Sequence, residues 1–280
     1  MMDYYYSFID QVLPFAWAHH EFMKNALLAV LMVTPLFGIT GTMIVNNRMA
    51  FFSDAIGHSA LTGIAIGVLL GFTDPLWAMI VFSVLLALAI SYIKTRTTTS
   101  TDTLIGVFSS TAVALGIVIL SRGGGFNRYS RFLIGDLLSI TPGELGLLAL
   151  VLAGIAAFWI FGFNRLLMVS LSPSLALSRG IDVRWWEIGF SVLMAVMVTV
   201  SIQWVGIMII NSLLVLPAAA ARNVSIGMRR YHLVSVLLAL GSGLAGLILS
   251  YYWGTATGAT IVLVTALLYL ASLVKRLWSD

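Results

Sequence analysis

The sequence predicts an all-α fold, a polytopic transmembrane helical bundle of eight or nine spans. Three observations carry that prediction. Hydrophobic residues make up 60% of the 280 residues and charged residues only 9%, with a mean hydropathy of +1.02, a balance that a soluble domain could not hide. The charges fall between apolar runs long enough to cross a hydrocarbon layer of ~30 Å, for which a helix needs about 20 residues. The basic residues are scattered among those runs and gathered on no single face, so the net charge of +4 reads as a topology signal and not as nucleic-acid binding. On this reading residues 1–280 form a single transmembrane domain.

Residues 1–23 lack the basic segment and the small-residue cleavage pattern of a signal peptide. They mix Asp3, Asp10 and Glu21 with Tyr4, Tyr5, Tyr6, Phe8, Phe15 and Trp17, as an external interfacial arm would. His19 and His20 beside Glu21 could collect a metal ion, against the plainer reading of a solvated arm. Residues 25–47 carry no charge and form the first span, in which Pro35, Gly38 and Gly41 predict a kink and close packing. Residues 51–71, FFSDAIGHSALTGIAIGVLLG, form the second. Ser53 reads as its cap, Asp54 sits in the first turn against the positive end of the helix dipole, and Gly63, Gly67 and Gly71 make a stripe for close helix contact.

Residues 76–93 form the third span, ending at Lys94 and Arg96, and Asp102, read as a cap between threonines, opens a fourth through Leu120. Residues 121–142 are too polar and glycine-rich to span, although 132–140 reads as a short, re-entrant half-helix. The fifth span is 145–163, and a long polar loop follows at 164–187. Between Glu187 and Arg222 an uncharged run of 34 residues is too long for one span and enough for two short ones, 188–201 and 205–221, hinged at 203–206. Residues 233–274, uncharged over 42 residues and broken at 251–258, supply the last two.

Orientation follows from the basic residues. Loops at Arg48, at Lys94 and Arg96, at Arg165, Arg179 and Arg184, at Arg222, Arg229 and Arg230, and the tail at Lys275 and Arg276 hold 11 of the 15 Lys and Arg. Placing them in the cytoplasm puts the amino terminus outside and the carboxyl terminus inside, and leaves Arg122, Arg128 and Arg131 as outer exceptions.

Ionisable groups inside a membrane are costly, so each is a functional hypothesis. Asp54 and His58, four residues apart, lie one above the other on one helix face. They read either as a helix start whose histidine is satisfied by a backbone carbonyl or as half of a metal site. With no cysteine in the chain, a borderline metal must be held by His, Asp, Glu or backbone oxygen. Zinc prefers four ligands, so a carboxylate and an imidazole supply two, and a second copy across a two-fold axis could supply the others. Gln203, Asn211 and Ser212, near the hinge and ahead of Pro217, read as a pathway or gate, or as ordinary interhelical hydrogen bonds. Asp136 and Glu144 lie on the outer side, where they could attract cations, dock a partner or simply close a solvated turn. No G-x-x-x-x-G-K-[ST], G-x-S-x-G or H-E-x-x-H occurs, so the chain is no enzyme by these motifs and energy must come from a partner or an ion gradient.

Five motifs in order are similar to those of the membrane permeases of ABC importers for zinc, manganese and iron. They are Arg48-Met49-Ala50-Phe51-Phe52-Ser53-Asp54-Ala55-Ile56-Gly57-His58-Ser59-Ala60-Leu61, Asp102-Thr103-Leu104-Ile105-Gly106, Phe132-Leu133-Ile134-Gly135-Asp136-Leu137-Leu138, Ser172-Pro173-Ser174-Leu175-Ala176, and Val205-Gly206 through Leu216-Pro217-Ala218-Ala219-Ala220-Ala221-Arg222. The likeness is strongest to the zinc-importer permease. It implies a homodimer in the cytoplasmic membrane of a prokaryote, two cytoplasmic ATP-binding subunits beneath it, an external solute-binding protein, and no nucleic acid. It also implies a metal-contacting or gating role for Asp54 and His58, with no permanent cofactor and Zn²⁺, Mn²⁺ or Fe²⁺ bound in transit. Leu171, Ser172, Pro173, Ser174, Leu175, Ala176, Leu177, Ser178, Arg179, Gly180 and Ile181 match the coupling helix that docks on the ATPase. The chain departs from the family at Ser53, where Gly is common, at Thr62, where manganese and iron members carry Pro, and at Ser109 and Ser110, where zinc-type members often have His. The rival reading is a secondary transporter that uses Asp54 and His58 as a proton relay.

Overall fold

The computed structural model describes residues 2–12, 15–72, 74–122, 135 and 137–279, and among these residues there are helices and no strand. An amphipathic helix α1 (Met2–Val12) and a 3-10 turn (Ala16–His19) lead into α2 (Glu21–Asn46), α3 (Ala50–Leu69), α4 (Leu76–Lys94), α5 (Thr101–Arg122) and α6 (Pro142–Leu171). A short α7 (Pro173–Ser178) precedes α8 (Val183–Val205), α9 (Ile207–Val224), α10 (Met228–Trp253) and α11 (Thr257–Ser279). Eight of these helices are long and apolar enough to cross a membrane, and the shorter apolar α9 is the ninth predicted span.

Lipid explains the arrangement. A helix satisfies its own backbone in hydrocarbon, so the outward faces need only be apolar. On α11 the residues Leu263, Leu267, Leu270 and Val274 are exposed at helical spacing, and on α6 the neighbouring Ile160 and Phe161 are exposed. The inner helices α2, α3 and α8 are buried over most of their length. Glycine allows their close approach. A Cβ on Gly41 would overlap the Leu214 carbonyl of α9, one on Gly38 would stand 2.8 Å from Val236 Cα of α10, and one on Gly63 would stand 2.5 Å from Met79 Cα of α4. Replacing Gly41 with leucine is therefore expected to lower the thermal midpoint and membrane yield, an overpacking cost of about 1–3 kcal/mol or more. Gly154 on α6 faces open space, and Gly154→Ala should raise stability by about 0.5–1 kcal/mol through the helix backbone alone. Thermal unfolding of the two variants in detergent checks the contrast.

Several sequence expectations are corrected in detail. Ser53 does not cap α3, which begins three residues earlier at Ala50. Gly71 does not continue the packing stripe, since it adopts φ 78° with open space around it and ends α3 as a left-handed cap, with Phe72 N–H donating to Gly67 O at 2.9 Å. The cap of α5 is Ser100, whose hydroxyl accepts from Thr103 N–H at 3.2 Å, and not Asp102. The fifth span does not stop at 163. It runs on to Leu171, because Asn164 and Arg165 can leave the apolar face without breaking the helix, and the Arg165 guanidinium lies over the Trp186 ring at 5.4 Å. Pro35 sits inside an unbroken α2. The hinge falls at Gly206, with φ 84°, between α8 and α9. Of the re-entrant segment 132–140, residues 132–134 and 136 lie outside the described residues, and Leu137–Ser139 form a single 3-10 turn.

Candidate ion site

The site is built on α3. This helix packs most extensively against α5 and α4, and also against α9 and α8. Thr62 donates its hydroxyl hydrogen to the Ala112 carbonyl of α5, and Gly116 leaves room for that approach. Gly57, between the two ionisable residues, faces α9, where a Cβ would meet Ile207 Cγ2 at 3.2 Å. Ser53 Oγ lies 2.9 Å from Ala50 O and 2.8 Å from Asn211 Oδ1. The back of the helix is thus pinned to α9 directly beside Asp54.

The front is open. In the first three turns of α3 the exposed or half-exposed positions beyond Ala50 are Phe51, Asp54 and His58. The Asp54 side chain is 37% exposed and the His58 side chain 33%, with Asp54 Oδ1 and His58 Nε2 3.6 Å apart. That separation is an ion-pair distance and too long for a good hydrogen bond, so both groups keep acceptor or ligand capacity. At 1.5 Å per residue, Asp54 stands about 6 Å and His58 about 12 Å from the start of the helix. Among the described residues no three of His, Asp and Glu come close enough to hold a metal ion, so Asp54 and His58 have no third such group beside them there.

Of the other predicted site residues, Asn211 reaches the α3 site through Ser53, and Ser212 is half-buried beside it. Gln203 is half-buried in the last turn of α8, and no hydrogen bond or ion pair joins it to Asp54 or His58. Asp136 lies outside the described residues. Glu144 closes a capping box, its carboxylate accepting from Thr141 N–H at 2.8 Å, which is the turn reading and leaves it engaged. His20 Nε2 lies 3.2 Å from the Tyr251 hydroxyl, and His19 Nδ1 is 3.7 Å from Asp10. Asp10 is in turn taken by Lys24 at 2.7 Å. An ammonium at that position disfavours a second cation, which argues against a metal at His19 and His20. The same corner holds α1 in place, with Tyr5 donating to Lys24 O and burial pushing its phenol up to about 12.

The predicted coupling segment has a defined shape. Ser172 caps α7 by accepting from Leu175 N–H at 3.3 Å, and Ile181 N–H donates to Ala176 O at 3.0 Å around Gly180, whose φ is 73°. Ala176 is buried, while Leu171, Leu175 and Leu177 are 64%, 48% and 61% exposed. The sequence reading missed the Ser53–Asn211 contact and the Asp10–Lys24 pair. For the latter a signal existed, a lone lysine at the head of an otherwise uncharged run.

Eight helices long and apolar enough to cross a membrane, with a half-exposed carboxylate–imidazole pair near the start of α3, describe a multi-pass membrane protein. Residues 19–276 match the ABC 3 transport family, and the chain belongs to that family. It is 32% identical over 261 residues to the high-affinity zinc uptake system membrane protein ZnuB of Haemophilus influenzae, covering 91% of this chain and 98% of that protein. It is 31% identical over 256 residues to the manganese import system permease protein ScaB of Streptococcus gordonii, covering 90% of each. The structure of PsaBC from Streptococcus pneumoniae in complex with Fab has a chain of the same fold, with a TM-score of 0.79, 29% identity, and coverage of 97% of this chain and 95% of that one.

Proposed function

We propose that this chain is the permease subunit of an ATP-driven importer of a divalent transition-metal ion, zinc first, with manganese or iron as the alternative. The observation that carries the reading is the half-exposed Asp54–His58 pair on a helix buried over most of its length. Facing lipid, such a pair would be costly, so its open face calls for a partner or water. Zinc-uptake and manganese-import relatives support a divalent ion, and imidazole with carboxylate suits borderline zinc while tolerating manganese.

A second copy of the chain completes the site. Beside α3, helix α5 turns Thr103, Gly106, Ser110 and Ala114 outward, a small and polar row suited to close helix contact. Two aspartates and two histidines then meet on a two-fold axis. The basic ends at Arg48, Lys94 and Arg184 share one end of the bundle, which by charge is the cytoplasmic one, with the arm 1–23 and the amino terminus outside and the carboxyl terminus inside the cell membrane. There α7, with its exposed leucines inside the loop 164–187, docks on two ATP-binding subunits. An external solute-binding protein delivers the ion, closure of the ATPases shifts the gate, and the ion leaves a site weak enough to release it. The chain itself makes and breaks no covalent bond.

The test is uptake into vesicles reconstituted with the permease and its ATP-binding subunit, with zinc, manganese and iron in competition. ATP-dependent accumulation is expected, and the preferred ion names the cargo. Uptake that proceeds without the ATPase and collapses with the proton gradient would establish the secondary-transporter reading instead.

A further inference from the structure

A second polar site lies where α2 hands over to α3. A cavity of about 240 Å³ opens there, walled by the α2–α3 turn, the end of α4, the start of α5, the end of α6, Pro173 of α7 and the first turns of α8. Its charged residues are Arg48, Lys94 and Arg184 against one carboxylate, Glu187. Lys94 and Glu187 offset each other in part across 3.9 Å. Arg48 and Arg184 have no carboxylate partner among the described residues.

One further feature points to a ligand. Arg48 is the one non-glycine residue with positive φ among the described residues, at 54°. Met49 N–H donates to Ile44 O at 2.9 Å around it, a helix-ending turn in which glycine is the unstrained choice. Strain kept in order to hold a long cationic side chain is a sign of function. Helix dipoles do not decide the sign of the ligand, because α3, α5 and α8 begin at the cavity while α2, α4 and α6 end at it. The side chains decide it.

We propose that this cavity binds a phosphate group, held by the guanidinium groups of Arg48 and Arg184, with Lys94 as a further donor. Guanidinium matches the planar pair of phosphate oxygens with two parallel hydrogen bonds. The volume leaves room for waters as well, each taking about 30 Å³. A phosphate there ties the first turn of α3, which carries Asp54 and His58, to the root of α7. The phosphate comes from a lipid headgroup or from a free phosphorylated solute, and the chemistry of the site is the same for both.

The test uses the purified full-length chain. One arm titrates inorganic phosphate in detergent, and the other compares thermal midpoints in nanodiscs of phosphatidylglycerol and of a phosphate-free galactolipid. Each arm is repeated with Arg48→Gly and Arg184→Ala. Saturable phosphate binding that weakens about tenfold or more in both variants identifies a free solute. Stabilisation by phosphatidylglycerol alone, lost in both variants, identifies a headgroup. Arg48→Gly relieves the positive φ, so its thermal midpoint without ligand should hold or rise, which separates lost binding from lost folding. No saturable phosphate binding together with equal midpoints in the two lipids, or binding unchanged in both variants, overturns the proposal.

Discussion

Replacing Asp54 and His58 together with alanine is expected to reduce metal uptake by at least about 100-fold, since under the proposed function the two chains together lose all four ligands of a four-ligand site. The fold should survive. Each side chain is at least a third exposed, and their recorded contact is with each other at 3.6 Å, so their removal strands no buried partner. The pinning of α3 to α9 runs through Ser53, Asn211 and Gly57, which the variant keeps. The measurement is uptake of labelled zinc or manganese in whole cells, with the amount of permease in the membrane and its co-purification with the ATP-binding subunit as controls. Unchanged uptake would mean that the ion passes elsewhere.

The second large effect concerns α7. Changing Leu175 and Leu177 to glutamate should detach the ATP-binding subunits while the permease alone largely keeps its thermal midpoint, because both leucines are about half or more exposed. Each leucine buried at an interface contributes about 1.5–3 kcal/mol, so losing two weakens docking by at least about 100-fold. Co-purification of the two proteins, and ATP hydrolysis stimulated by the permease, read the loss. Retained docking would place the contact away from α7.

The spans were legible because hydrocarbon tolerates few charges, so uncharged runs mark helices almost directly. The Asp54–His58 pair was legible for a related reason, since four-residue spacing on a helix sets the geometry before any packing is known. Boundaries were harder where a side chain changes what a charge or a cap means. Arg165 failed to end the fifth span because its guanidinium stacks on Trp186. Ser53 looked like a cap, yet the left-handed turn at Arg48 starts α3 earlier and frees Ser53 for Asn211, 158 residues away. The phosphate cavity was invisible for the same reason, being assembled from the ends of seven helices. Thr62, read only as a departure at one position, turned out to fasten α3 to α5.

The central claim is that each chain carries half of an ion site and that a second copy completes it. The chain contains no cysteine, so His58→Cys creates a single reporter thiol. The most direct measurement is cross-linking of this variant in intact membranes with a short bismaleimide, beside Leu150→Cys as a control on the exposed face of α6. The account predicts a covalent dimer from position 58 and monomer from position 150. Monomer from position 58, with a covalent dimer from position 150, would contradict it.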